Sequence, residues 1–250
     1  MKKTFRFLGF MLVSAMSYGL ISCGGDGDED PVITVTPASI SMHYEDTQQL
    51  SANGATSFTS NDEFVAKVDQ KGLVTGGHVG TTQIIASNGK KTAICEVTIT
   101  PEYNLYDTPI LEWGASKSTI LSKETHETKD SGDKTLGSNY SKGSTSCLVM
   151  YIFENDKLSA VMATLDESMY LSTGYYLLER YQPIGESEGM FVFLDALSKD
   201  KATTMIGYEQ TKISGYNVVS VMYMPSLKSS SVRSALNSVK ANIGDIQLTK

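Results

Sequence analysis

Three cysteines, three histidines and one tryptophan are all that 250 residues carry of three scarce, chemically informative side chains. His43, His78 and His126 stand far apart, and neither an H-E-x-x-H nor a C-x-x-C spacing occurs, so no zinc centre is expected. A G-x-S-x-G nucleophile elbow and a G-x-x-x-x-G-K-S/T phosphate loop are missing too, which removes two sequence signs of acyl transfer and nucleotide hydrolysis. Basic residues are outnumbered, 21 Lys and Arg against 28 Asp and Glu, for a formal charge of −7. Such a surface repels phosphate backbones, so a nucleic-acid partner is not expected. The acidic run Asp26–Asp30 offers oxygen ligands for calcium, but no glutamate closes a twelve-residue loop, and a solvated tether explains it better. The adjacent acids Asp166 and Glu167 are the one carboxylate pair considered for glycosidase-like work, which needs two acids facing across a cleft. The competing reading is a solvated helix start. No residue is therefore assigned as catalytic, no cofactor or metal is expected, and the chain is read as no enzyme.

What is present begins with Lys2, Lys3 and Arg6, followed by an apolar run from Phe7 to Tyr18 that is too short for an ordinary membrane span. Leu20-Ile21-Ser22-Cys23 comes next. This arrangement resembles the lipobox of bacterial lipoproteins. The resemblance implies removal of residues 1–22 as a signal peptide, a thioether-linked lipid on Cys23, and a membrane partner reached through that lipid. Residues 23–31 form an acidic tether, with Gly24-Gly25-Asp26-Gly27-Asp28-Glu29-Asp30 unable to bury a core. It resembles the export signal of Bacteroidetes-type surface lipoproteins, which implies an outer-membrane anchor facing the cell exterior; the periplasmic face is the alternative. Loss of the signal takes three of the 21 basic residues and no acidic one, leaving 18 against 28 and a net charge of −10. Only Cys95 and Cys147 then remain for a disulfide. Each sits in an apolar strand pattern, which favours two separately buried thiols over a bridge.

Residues 32–101 read as all β. Short alternating segments such as Ile33, Val35 and Ile40, Met42 are punctuated by turn signals at Asn53-Gly54, Asp69-Gln70-Lys71-Gly72 and Asn88-Gly89. About seven strands at this spacing suggest a sandwich. The order Val35-Thr36-Pro37, Gln49-Leu50, Ser60-Asn61-Asp62 to Asp69, Gly72-Leu73-Val74-Thr75-Gly76, Gly80-Thr81-Thr82 and Cys95-Glu96-Val97-Thr98-Ile99 resembles the bacterial Ig-like domain, group 2. Where many relatives have a tryptophan before Ser60, this chain has Phe58-Thr59, so Phe58 or Phe64 is expected to fill the core. The resemblance implies an immunoglobulin-like sandwich found in surface proteins and adhesins, used more often as a spacer than as a binding module.

Residues 102–250 read as an α+β domain. A helix is expected from Ser116, its N-cap, to about Glu127, then strands near 134–141, 146–154 and 158–165, with Asn155-Asp156-Lys157 turning between the last two. A second helix over about 168–181 places Leu171, Tyr175, Leu178 and Tyr181 on one face, and strands follow at 190–194, 203–210 and 216–224. Helix then three strands, twice, suggests an internal duplication with both helices on one face of an antiparallel sheet. That layout would look like the TATA-box-binding-protein-like architecture. A helix over 229–241 and a strand at 246–248 close the pattern.

Exposed aromatics can stack on sugar rings or anchor a protein. Trp113, alone near the domain junction, and Tyr176, opposite Tyr175 on the second helix, are the two candidate ligand-binding residues. The alternative is that Tyr175 and Tyr181 fill the helix–sheet core and Trp113 packs the junction. The order of lipid, tether, Ig-like domain and α+β domain leads to a surface binding or adhesion protein, with a glycan or host protein as ligand. A structural or accessory subunit of an envelope complex is the competing reading, and a glycan-active enzyme a third.

Overall fold

The computed structural model describes residues 32–226 except 131, 188 and 214. The signal, Cys23 and tether readings, and the helix and strand expected past Pro225, lie outside the described residues.

Nine short strands make the first half: β1 (Thr34–Thr36), β2 (Ser39–Met42), β3 (Thr47–Gln49), β4 (Ser51–Asn53), β5 (Ser57–Ser60), β6 (Ala66–Val68), β7 (Leu73–Gly76), β8 (Gly80–Ser87) and β9 (Thr92–Ile99). They form sheets ordered β2-β9-β8-β5 and β3-β7-β6, with β1 and β4 paired separately. The alternation read from the sequence is the reason: β8 buries Thr82, Ile84 and Ala86, while β9 buries Cys95, Val97 and Ile99. These side chains meet Leu50, Val65 and Val74 between the sheets, and Phe58 packs against them as expected. Gly72 has φ +82°, and a Cβ there would lie 2.9 Å from the Phe58 ring, so both the turn and the close approach require glycine. Cys95 and Cys147 are separate buried thiols.

The second half is one antiparallel sheet. α1 (Lys117–Lys123) precedes β10 (Glu127–Asp130), β11 (Thr135–Asn139), β12 (Cys147–Glu154) and β13 (Lys157–Asp166); a 3-10 turn leads into α2 (Tyr170–Leu178), then β14 (Gln182–Ser187), β15 (Met190–Leu194), β16 (Thr204–Ile213) and β17 (Tyr216–Pro225). The sheet order is β10-β11-β12-β13-β17-β16-β15-β14, so the last strands of the two quartets pair at the centre. Each helix is thus followed by four strands, where three were expected. The first helix stops at Lys123, short of the expected Glu127, because Glu124 is already extended, and β10 begins at Glu127. β14 was hidden by Pro183 and Gly185. It is an edge strand with a bulge between them, the place where a missing N–H is tolerated.

Ile120, Tyr176 and Leu177 from both helices pack with Val149, Tyr151, Val161, Val221 and Tyr223 on one face of the sheet. The other face is lined by Met150, Met162, Met205, Met222 and Met224, also buried. One expectation fails here. Leu171 is 72 % and Tyr175 52 % exposed, whereas Thr173, Tyr176 and Leu177 form the buried stripe. Apolar residues line two stripes of this nine-residue helix. The sheet selects the stripe that seats Tyr176 against Tyr106, ring centroids 4.6 Å apart, with the Tyr176 hydroxyl donating to the Tyr106 carbonyl.

Candidate functional site

The segment 102–110, which leads into the sheet domain, reaches its core. Leu105 and Tyr106 are buried, and the Tyr106 and Tyr223 hydroxyls lie 2.8 Å apart. Glu179, just after α2, accepts hydrogen bonds on its carboxylate from the backbone N–H groups of Glu102 and Tyr103, at 2.8 and 3.0 Å, and forms an ion pair with Arg180. Arg180 also stacks its guanidinium over the Tyr176 ring.

The last carbonyls of a helix lack partners inside it. For α2 the sandwich supplies them. Val79 N–H donates to the Glu179 carbonyl at 2.7 Å, and His78 Nδ1 lies 3.2 Å from the Leu178 carbonyl. A carbonyl can only accept, so His78 carries its proton on Nδ1. The His78 ring is buried beside Phe64, centroids 4.2 Å apart, and burial lowers its pKa from the ordinary value. A cleft of about 440 Å³ borders this seam, lined by Asn61, Asp62 and Phe64 of the sandwich and Asp195, Leu197 and Lys201 of the sheet.

A second cluster surrounds Glu124, whose side chain is 1 % exposed. Tyr140 and Tyr151 hydroxyls donate to one oxygen at 2.8 and 2.7 Å, and His126 engages the other through Nδ1 at 2.7 Å. Burial pushes this carboxyl up, but the bonds from the His126 backbone, Tyr151, the His126 ring and Tyr140 outweigh it and bring the pKa down to about 2. Tyr151 also accepts from Ile110 N–H, and Asp107 pairs with Lys142 at 2.9 Å. Both oxygens of Glu124 are engaged by its own chain, so the cluster fastens the 102–110 segment to the sheet.

The far end of the sheet is different. β16 starts at Thr204, near the seam, and nine residues later reaches Ile213, paired with Tyr216 across the hairpin. At about 3.3 Å per residue the hairpin end lies roughly 30 Å from the seam. A groove of about 560 Å³ opens there, lined by Asp166, Glu167, Ser168, Lys212, Tyr216 and Asn217. Asp166 caps the 3-10 turn, accepting from Ser168 N–H at 2.9 Å and its hydroxyl at 2.6 Å, which lowers its pKa. Asn217 donates to Glu167 at 2.9 Å. Tyr216 is 63 % exposed.

The residues singled out from sequence are therefore dispersed. Trp113 is half-buried against the core of the sheet domain and donates its indole N–H to Thr204 at 3.2 Å. Tyr176, expected to be exposed, is fully buried and cannot offer its ring to a ligand. Tyr181 is buried as expected; Tyr175 is not, and stacks outside on Tyr103. His43 Nδ1 meets the Thr100 carbonyl at 2.9 Å, a different partner from those of His78 and His126. Among the described residues no group of three or more His, Cys, Asp or Glu could hold a metal. No described helix is long and apolar enough to cross a membrane. Sequence reading missed Glu179, Glu124 and Tyr216. Only Tyr216 left a local sign: a tyrosine directly after a turn glycine, where a strand begins at the sheet's end.

Residues 31–97 match the bacterial Ig-like domain (group 2) family, and the two-sheet sandwich is that domain. No curated protein matches the chain. Among solved structures it is similar to domains 5–6 of the S-layer protein SbsC, at 13 % identity and a TM-score of 0.24, covering 80 % of this chain and 86 % of that one. A structure of domains 4–9 of surface layer protein SbsC is similar at 12 % identity and a TM-score of 0.25, covering 80 % of this chain and 27 % of that one. Both likenesses are too distant to bear on function.

Proposed function

We propose that this is a surface-displayed binding or adhesion protein, anchored to the outer membrane by lipid on Cys23 and acting by recognition rather than catalysis. The bacterial Ig-like domain fits a protein of the cell surface. The sandwich serves as a riser and the sheet domain meets the partner, a glycan or a host protein. The observation that carries this reading is the seam: Val79 and His78 complete the end of α2, and Glu179 clasps the connecting segment. A riser joined this way fixes the direction in which the sheet domain points, and leaves the sheet's far end unobstructed by the sandwich. The eight-stranded sheet with its two helix-plus-four-strand halves is read, within this proposal, as a duplicated unit of TATA-box-binding-protein-like layout.

Two measurements test it. Protease shaving of intact cells should remove the chain from the outer surface. The full-length purified chain should bind host glycoproteins or polysaccharides on a broad array. Protection of the chain in intact cells, or an array without binding, overturns the reading.

A second reading, an accessory subunit of an envelope complex, is favoured by one observation. Leu171 and Tyr175 leave an apolar stripe of α2 in solvent. Mild crosslinking in cells should then recover a membrane partner that is lost in Leu171→Glu.

A further inference from the structure

We infer that the groove between Asp166–Ser168 and the β16–β17 turn binds a neutral oligosaccharide, with Tyr216 as the stacking platform and Asp166, Glu167 and Asn217 as partners for its hydroxyls. This rests on the reading above that the far end of the sheet meets the ligand.

Tyr216 is the most exposed aromatic among the described residues, at 63 %. A ring held in water beside a groove gains by covering its face with the C–H face of a pyranose, which removes apolar area from both. Sugar hydroxyls need acceptors close to such a platform. The Asn217 bond to Glu167 fixes both side chains and leaves the other carboxylate oxygen and the amide oxygen unengaged among the described residues. Asp166 is fixed in the same way by Ser168, through one oxygen, leaving the second. Acceptors immobilised before the ligand arrives lose little entropy on binding.

The charge of the site selects the ligand. Two carboxylates face one lysine, Lys212, so sialylated or sulfated chains meet net repulsion while neutral hexoses do not. The groove is wide open to solvent, a shape that admits one face of an extended sugar chain. Glycoprotein glycans and free polysaccharides share this chemistry.

The test uses the full-length chain on an array carrying neutral, sialylated and sulfated glycans, from glycoproteins in one arm and from polysaccharides in the other. Neutral members should bind, and the arm that binds names the source. Affinity for the best neutral glycan is then measured by calorimetry for Tyr216→Ala, Tyr216→Phe and Asn217→Ala. Tyr216→Ala should weaken binding at least about tenfold, Asn217→Ala several-fold, and Tyr216→Phe little, because it keeps the ring face. Thermal unfolding should be unchanged in Tyr216→Ala, since the ring is solvated. A chain that binds only charged glycans, or binds neutral ones equally well in Tyr216→Ala, overturns the groove assignment and leaves the surface-binding reading in place. A wild-type chain that binds nothing overturns both.

Discussion

The backbone N–H of Val79 donates to the carbonyl of Glu179 across 2.7 Å, joining residues one hundred positions apart. It does so just past the end of α2, where the carbonyls of Leu178 and Glu179 are met by groups of the sandwich. The sandwich therefore behaves as the C-terminal cap of a helix in the neighbouring domain. Domain contacts made through side chains alone can slide. A contact made through a helix end has a fixed position and direction, and the Glu179 carboxylate adds a second fixed point by holding the chain where it leaves the sandwich.

Removing that second point should be costly. Glu179→Ala removes the acceptor of the Glu102 and Tyr103 N–H groups and leaves the largely buried Arg180 without its ion pair, so we expect a loss of about 2–4 kcal/mol in stability. Glu179→Gln keeps an acceptor and should lose roughly half as much. Urea denaturation measures both, and limited proteolysis should show new cleavage between 101 and 108 in the alanine variant. Equal stability of the alanine variant and the wild type would show that the clasp contributes nothing.

His78 makes the seam sensitive to acid. Burial lowers its pKa, so the folded protein holds it neutral while the unfolded chain protonates near 6.5. Below that pH the unfolded state binds more protons, and stability falls as pH drops. Desolvation, helped by the charge of Lys67, outweighs the hydrogen bonds to the Leu178 carbonyl and to Gln182, which favour the charged ring. Between pH 7.5 and 5.5 the wild type should lose stability at up to about 1.4 kcal/mol per pH unit below 6.5. His78→Asn, which retains a donor but does not titrate, should show a flatter profile. Parallel pH profiles for the two proteins would rule the mechanism out.

Much of the architecture was legible because it is written in local pattern. The alternation in β8 and β9 fixed which residues enter the sandwich, and Asn155-Asp156, both with positive φ, announced the β12–β13 hairpin. What escaped has a shared cause. Every contact of the seam has a main-chain carbonyl or amide on at least one side, which no residue type reveals. The buried face of α2 is chosen by Tyr106 and the sheet, so the local period pointed to Leu171 and Tyr175 instead of Thr173 and Tyr176. Pro183 and Gly185 are breaker residues, and only the position of β14 at the sheet's edge lets this segment be a strand. His126 looked isolated because its partners are the neighbouring Glu124 and Tyr140, whose ring reaches it from beyond the end of β11.

Glu124 should make the sheet domain resistant to moderate acid. Its folded pKa of about 2 lies below the unfolded value of 4.5, so its contribution is fully present above pH 4.5 and is lost as pH falls toward 2. The shift corresponds to roughly 3 kcal/mol at neutral pH. Glu124→Gln should lower stability at pH 7 by an amount of that order and by much less at pH 2.5. Tyr151→Phe removes one donor to Glu124 and the acceptor for Ile110 N–H, and should cost about 1–2 kcal/mol. A Glu124→Gln penalty that does not shrink on acidification would contradict an ionised carboxylate.

Thr173 is a place where one substitution should stabilise the fold. Thr173 is fully buried on α2, and its hydroxyl has no hydrogen-bond partner among the described residues. A hydroxyl in that state has given up water and gained nothing, at a cost of about 1–3 kcal/mol. Valine has nearly the same shape and a similar helix propensity, so Thr173→Val replaces the stranded oxygen with a methyl group at little steric risk. Thr173→Val should raise stability by about 1 kcal/mol, and with it the thermal midpoint by roughly 2–4 °C for a chain of this size. Thr173→Ala separates the two contributions: it also removes the hydroxyl, but leaves space beside Tyr176 and Leu177, so it should fall below Thr173→Val by the cost of the lost methyl contacts. If Thr173→Val instead destabilises, the hydroxyl has a partner in the folded protein, and the buried stripe of α2 is held by a polar contact as well as by packing.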